Sequence, residues 1–231
     1  MKVPVESRVD TWVVIAAYNE GAVIGGVVRE LVLDGYTVIV VDDGSRDDTG
    51  AQAQAAGAVM LRHAINRGQG AALQSGFRYA LDHGARIVVT FDADGQHDVS
   101  DVSRLVEPIL GGEADIALGS RFLEHAAGVP PARRMLLRAA VAFTSVVSGV
   151  SLTDAHNGMR ALSRRAAEQV DLRLDRMAHA SEIIDQIVRT GLRVTEVPVA
   201  VRYTPYSVRK GQHASAAARI ALDYLFHKLN D

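Results

Sequence analysis

Two carboxylates separated by a single small residue close an apolar run in Val88-Val89-Thr90-Phe91-Asp92-Ala93-Asp94-Gly95-Gln96-His97. A short apolar and β-branched run of this kind reads as a buried strand of a parallel sheet. In open α/β sheets ligands bind beyond the carboxyl ends of the strands, where Asp92 and Asp94 would stand. Two acids at such an end can share one hard cation through oxygen, leaving positions for water and a diphosphate. Gln96 offers a third, neutral oxygen. The competing reading is a turn with a helix cap, since Asp-Gly favours turns and Asp caps helices. A turn alone has no use for two acids directly behind a buried strand, so the site reading is preferred.

The elements that must position these acids follow from the flanking pattern. Trp12–Ala17, Thr37–Val41 and Val59–His63 read as strands. Tyr18-Asn19-Glu20 leads from the first strand into a helix ending near Leu33. Asn66-Arg67-Gly68-Gln69-Gly70-Ala71-Ala72 opens another that runs to about Asp82. A helix near Val102–Leu110 and a strand over Asp115–Arg121 complete the alternation. Strands and helices alternating at this spacing predict a doubly covered, mostly parallel α/β sheet. The alternation stops after Arg121.

With 231 residues the chain suits one domain with a sizeable core. Its formal charge of −2 gives no global field toward nucleic acid. The absence of cysteine excludes thiolate metal sites and disulfides and fits a reducing compartment. The first residues, Met1-Lys2-Val3-Pro4-Val5-Glu6, lack the apolar core of a signal peptide. No apolar stretch approaches the roughly 20 residues that span a bilayer. The expected location is cytoplasmic. A nicotinamide-binding fold fails its own test, because Ala17-Tyr18-Asn19-Glu20-Gly21 lacks the glycine fingerprint required after the first strand. Gly68 and Gly70 follow the third strand instead, where they can let the backbone approach a ligand at a helix start.

Taken in order, Ala16-Ala17-Tyr18-Asn19-Glu20, Val41-Asp42-Asp43-Gly44-Ser45 with Asp47 and Thr49, Asn66 to Ala72, Asp92 to His97 and Gly119-Ser120-Arg121 resemble the family-2 glycosyltransferases. The nearest likeness is to the dolichyl- and polyprenyl-phosphate sugar transferases. Asp154-Ala155-His156-Asn157-Gly158-Met159-Arg160 resembles a later acid…glycine-aromatic-arginine motif, with Met159 where an aromatic is common. Glu196-Val197-Pro198-Val199 and Ser207-Val208-Arg209-Lys210-Gly211 resemble the closing segments. The likeness covers about residues 11–211.

This resemblance implies a GT-A fold that binds a nucleoside-diphosphate sugar and Mg2+ or Mn2+. By position, Ala17, Tyr18, Glu20 and Asp43 would hold base and ribose, with Gly68 and Gly70 alongside. Asp92 and Ala93 would lie by the ribose and diphosphate. Asp94 and Gln96, with Asp92, would meet the metal. Asp94, Arg121, Asp154 and Arg160 are the residues expected to carry the chemistry. A cation suits the reaction, because cleaving a sugar–diphosphate bond concentrates negative charge on the leaving group. Asp47 reads as a helix cap, and His97 as a residue that orients the loop without being a ligand.

On this view residues 11–121 bind the donor, and residues 122–231 of the same domain face the acceptor. From His125 to Thr153 there is no acid, while Arg133, Arg134 and Arg138 cluster behind Pro130-Pro131 in a helix rich in apolar side chains. Such a helix can lie in a membrane interface and attract anionic head groups, although core packing is the commoner fate of amphipathic helices. Position within the family-like order favours lipid contact, with Arg133, Arg134, Arg138, Arg209 and Lys210 on the acceptor phosphate. This predicts peripheral attachment to the cytoplasmic membrane face. A tail helix over 214–229 would pack on the domain, touch lipid or form a homo-oligomer interface.

The resulting expectation is a metal-dependent, inverting transfer of sugar to polyprenyl phosphate. A hydroxyl acceptor would need a general base, for which Asp154 is preferred over Glu182. Other rivals are a nucleotidyltransferase and a nucleotide-sugar-binding module without catalysis. The motif order opposes the first, and the Asp92/Asp94 pair with Asp154 opposes the second.

Overall fold

The computed structural model describes residues 8, 10–123, 152–154, 157–172, 182–183, 186 and 189–202. Strands β1 (Thr11–Ala17), β2 (Thr37–Asp42), β3 (Val59–Arg62) and β4 (Ile87–Thr90) run parallel in the spatial order β3-β2-β1-β4. All four residues of β4 are buried. They alternate between two helical layers, as the two-residue period of a strand requires. Helices α1 (Ile24–Leu33) and α4 (Ser100–Leu110) bring Ile24, Val28, Leu31, Val102 and Leu105 onto Val13, Ile15, Val38, Val40 and Val89. On the opposite face α3 (Gln69–Asp82) and α5 (Arg164–Gln169) bring Leu73, Phe77, Ala80 and Ala166 onto Val14, Ile39, Val41 and Val88. The near-continuous apolar strands are thus explained by burial on both sides.

Helix α2 (Thr49–Ala55) follows Asp47, as the cap reading of that residue implied, but its bounds are not written in the sequence. Only Thr49 and Ala53 of its seven residues are buried, so it carries almost no apolar period.

The sheet departs from pure alternation in its second part. Strand β5 (Ile116–Ser120) does not pair with β4; β6 (Arg160–Ser163) lies between them, antiparallel to both, and β7 (Val194–Pro198) runs parallel to β5 beyond. The seven strands of the described residues therefore form a mostly parallel sheet in the order β3-β2-β1-β4-β6-β5-β7. Antiparallel insertion has a direct consequence. It places the amino-terminal end of β6, with residues 152–154 and 157–159 before it, at the carboxyl ends of β4 and β5. Among the described residues no helix is long and apolar enough to cross a membrane.

Candidate active site

Two loops at the carboxyl ends of β1 and β2 are stitched together. Asn19 adopts φ 54°, a conformation that Asn tolerates better than most residues. Its N–H donates to Ser45 Oγ at 2.9 Å, and its Oδ1 accepts the Arg46 N–H at 2.9 Å. Glu20 N–H donates to Thr49 Oγ1 at 2.8 Å, and Asp43 N–H to the Ala17 carbonyl at 2.8 Å. Asp47 ties the same loops: Oδ2 accepts the Gly21 N–H at 3.1 Å, while Oδ1 accepts both the N–H and the hydroxyl of Thr49. Burial pushes this carboxyl up, but the bonds from Thr49 and Gly21 outweigh it and leave it below the ordinary range. The cap position of the following helix is Asp48, so Asp47 is not its N-cap but a tie between the two loops.

The Asp43 carboxylate reaches a third loop. Oδ1 bonds the His63 ring at 2.7 Å and accepts the Arg67 N–H at 2.9 Å, and Oδ2 accepts the Gly68 N–H at 2.8 Å. Gly68 has φ 92°, which an L side chain rarely adopts, and this conformation turns the chain into α3. Gly70 is buried in the first turn. Ala17 is buried and Tyr18 is 41% exposed. The residues assigned to base and ribose therefore lie on three loops that these bonds tie together. Among them, Asp43 works through loop architecture rather than as an uncommitted carboxylate.

Beyond β4, Asp92 receives a 2.9 Å hydrogen bond from His97 Nε2. The His97 ring stands edge-on to Phe91, and its Nδ1 is buried without a hydrogen-bond partner. A ring that donates to a carboxylate through Nε2 satisfies that nitrogen; leaving Nδ1 a bare acceptor costs less than burying a second N–H. Asp94 Oδ1 accepts the Gln96 N–H at 3.1 Å. Burial first, and then the charge of Asp92, push the Asp94 carboxyl above its ordinary range, and Glu20 adds to the same effect. Asp92, Asp94 and Gln96 are the residues that would hold a hard divalent cation; among the described residues no group of three or more His, Cys, Asp or Glu side chains is gathered to hold one by itself. The loop is held in place from outside. Arg202 N–H donates to the Gln96 carbonyl at 2.8 Å, and His97 pairs with Val201.

Across from these acids, Gly158 lies so close to Asp92 that an added Cβ would fall 2.1 Å from Oδ2. Thr90 Oγ1 donates to the Gly158 carbonyl at 2.6 Å. Arg160 pairs in register with Thr90 and Leu118 and is 3% exposed. Its burial lowers its pKa to about 10, against the favourable fields of Asp92 and Asp154. It remains a cation at neutral pH between the two acids. Asp154, 2% exposed, accepts Arg121 Nε at 2.6 Å and the Arg121 N–H at 3.2 Å through Oδ2. Its Oδ1 is buried without a hydrogen-bond partner, as is Asn157 Nδ2. Asn157 Oδ1 accepts the Met159 N–H at 2.9 Å, which shapes the bend before β6. Glu182, the other candidate base, is buried at 6% exposure.

Asp92, Asp154, Arg121 and Arg160 thus converge although they are spread over almost 70 positions. Arg133, Arg134, Arg138, Arg209 and Lys210, the proposed interface helix and the 214–229 tail lie outside the described residues. Sequence reasoning assigned no role to Asn19, Ser45 or Glu196. Asn19 carried a usable signal, as a residue suited to positive φ between a strand and a helix. Ser45 and Glu196 stand inside the family-like motifs, but their residue types announce none of the bonds they make.

Residues 12–171 match the family model described as Glycosyl transferase family 2. The chain belongs to that family. It is 32% identical to the polyprenol monophosphomannose synthase of Mycolicibacterium smegmatis, covering 87% of this chain and 80% of that protein. It is 29% identical to the UDP-N-acetylglucosamine–dolichyl-phosphate N-acetylglucosaminyltransferase of Methanococcus voltae, covering 94% and 96%. Among solved structures, glucosyl-3-phosphoglycerate synthase of Mycobacterium tuberculosis, in complex with Mn2+ and UDP-glucose, superposes with a TM-score of 0.67 at 26% identity, covering 96% of this chain and 80% of that one. This family-2 member is a glycosyltransferase of GT-A architecture, close to the polyprenyl-phosphate sugar transferases.

Proposed function

We propose that this glycosyltransferase moves a sugar from a nucleoside-diphosphate donor to a polyprenyl phosphate, with inversion and with the help of Mg2+ or Mn2+. The observation that carries the reading is the convergence of Asp92 and Asp94 with Arg160, Asp154 and Arg121 at the carboxyl ends of β4 and β5. The donor base and ribose lie against Ala17, Tyr18, Glu20, Asp43, Gly68 and Gly70, and the diphosphate lies at Asp92-Ala93-Asp94. Asp94 and Gln96, with Asp92, hold the cation; when bound, it stabilises charge on the departing diphosphate. Mn2+ in the M. tuberculosis enzyme and the lipid-phosphate acceptors named for the relatives support this assignment.

The acceptor oxygen attacks the anomeric carbon as the bond to the diphosphate breaks, and the electron pair leaves with the diphosphate. A phosphate acceptor is already anionic, so it brings its own nucleophile. Asp154, braced by Arg121, then orients groups at the reacting centre rather than removing a proton. Residues 11–121 serve the donor and 122–231 the acceptor, with Arg133, Arg134, Arg138, Arg209 and Lys210 on the lipid phosphate at a membrane surface.

One observation favours a second reading. Asp154 Oδ1 is buried without a hydrogen-bond partner, which would suit a base that takes the proton of a hydroxyl acceptor. The donor assignment is common to both readings, and titration calorimetry tests it. UDP-glucose, UDP-N-acetylglucosamine and GDP-mannose are titrated with Mn2+ or with chelator. At least one donor should bind tightly only with the metal, and Asp94→Ala should remove that dependence. Equal affinity with and without chelator would contradict the metal assignment.

A further inference from the structure

Glu196 stands on β7, in register with Leu118 of β5. Its carboxylate is committed to the segment that carries Asp154. Oε1 accepts the Thr153 N–H at 2.9 Å, the Thr153 hydroxyl at 2.9 Å and the Asp154 N–H at 3.1 Å; Oε2 shares the Thr153 N–H at 2.9 Å. Since the Thr153 hydrogen goes to a carboxylate, the 2.6 Å contact between Ser120 Oγ and Thr153 Oγ1 must have Ser120 as donor. Ser120 Oγ in turn accepts the Phe122 N–H at 3.2 Å. A one-way chain of hydrogen bonds therefore runs from Phe122 through Ser120 and Thr153 to Glu196. Chains of this kind strengthen when they end on a charge.

The chain brackets the Asp154–Arg121 pair. Arg121 lies between Ser120 and Phe122, and Asp154 follows Thr153. Arg121 fixes the Asp154 side chain through Oδ2, while the Glu196 carboxylate fixes the Asp154 backbone through its N–H. Neither hold substitutes for the other: a side chain anchored on a wandering backbone would carry Oδ1 out of place. We infer that Glu196 is a positioning residue that sets Asp154 against the reacting centre from the far edge of the sheet. This rests on the role given to Asp154 above.

The test uses the donor among the three named that gives most transfer, with dolichyl phosphate and, separately, glycerol 3-phosphate as acceptors. Misplacing a reacting group by about 1 Å costs on the order of 100-fold in rate. Glu196→Ala should accordingly lower kcat about 10- to 100-fold while the donor KM stays within about twofold, because the donor loops are held independently. Glu196→Gln keeps one oxygen for the Thr153 N–H, Thr153 Oγ1 and Asp154 N–H but puts an amide where Oε2 accepted the Thr153 N–H and removes the charge, and should recover part of the rate. In an Asp154→Asn background, Glu196→Ala should cost less than about twofold. Hydrogen exchange gives a readout independent of turnover: the Thr153 and Asp154 amides should lose protection in Glu196→Ala.

A normal kcat and retained amide protection in Glu196→Ala would overturn the inference. So would an equal loss of kcat in both backgrounds, the mark of a general structural role. Should Glu196→Ala not fold, Glu196→Gln and Thr153→Ala carry the same comparison. Full activity of Asp154→Asn would instead overturn the reading of Asp154 itself. Impaired Asp154→Asn beside normal Glu196 variants would overturn only the positioning role.

Discussion

Replacing Gly158 with alanine should disable the site without dismantling the sheet. An ideal Cβ there lies 2.1 Å from Asp92 Oδ2 and 2.4 Å from both Oδ1 and Cγ, where ordinary contact begins at 3.4 Å. Something must move by roughly 1 Å or more. The Gly158 backbone resists, because its carbonyl takes the Thr90 hydroxyl at 2.6 Å and the chain enters β6 two residues later. Asp92 is the part that can swing, at the expense of its 2.9 Å bond to His97 and its place beside Arg160. Overpacking of this kind costs about 1–3 kcal/mol of stability. A 1 Å displacement of a group that must face the donor costs on the order of 100-fold in turnover. Gly26 is the matched control: it lies exposed within α1, and an added Cβ there meets nothing within 4 Å. Gly26→Ala should gain about 0.4–1 kcal/mol and keep full activity. The assays are thermal unfolding by circular dichroism and nucleoside-diphosphate release. A Gly158→Ala protein with wild-type kcat would show that Asp92 does not need the position assigned to it.

Arg160→Met should be among the most destabilising substitutions in the core. Removing one partner from a buried charge cluster typically costs about 3–5 kcal/mol; chemical denaturation should show it, and a loss under 1 kcal/mol would mean that Asp92 and Asp154 do not depend on this cation. Acid should weaken the fold partly through Asp115. The side chain and backbone N–H of Arg193 hold its carboxyl below the ordinary range. Its contribution is therefore complete above the unfolded value of about 4 and is lost as pH falls through the lower folded value. Asp115→Asn should be less stable than wild type at pH 7, with the gap narrowing as pH falls below about 4; a gap that does not change with pH would contradict this.

The donor half of the fold was legible because β1, β2 and β4 are covered on both faces and so are written as apolar runs. The second part was harder to read. Arg160-Ala161-Leu162-Ser163 forms a buried strand that begins with a charged residue, which no hydrophobic pattern identifies as β. Arg160 is buried because Asp92 and Asp154 compensate its charge, and those partners lie far away in sequence. Resemblance placed Asp154 and Arg160 in one motif, but only the antiparallel insertion of β6 explains why that motif faces Asp92. Glu196 escaped for a related reason: on an edge strand a single glutamate looks like a solvated residue until the segment it holds is seen. The sequence marks Asp43 as a donor-site candidate, whereas its bonds to His63, Arg67 and Gly68 depend on residues 20 to 25 positions away.

Transfer itself is the most direct test. Purified protein with Mn2+ or Mg2+ is supplied with radiolabelled UDP-glucose, UDP-N-acetylglucosamine or GDP-mannose, together with dolichyl phosphate or a panel of water-soluble hydroxyl acceptors, and the products are partitioned into organic solvent. Label from one donor should enter the organic phase only when the lipid phosphate is present, and chelator or Asp94→Ala should abolish it. Label that appears only on the water-soluble acceptors, at a rate that falls as pH drops in wild type and is abolished in Asp154→Asn, would contradict the lipid-phosphate acceptor and make Asp154 a general base.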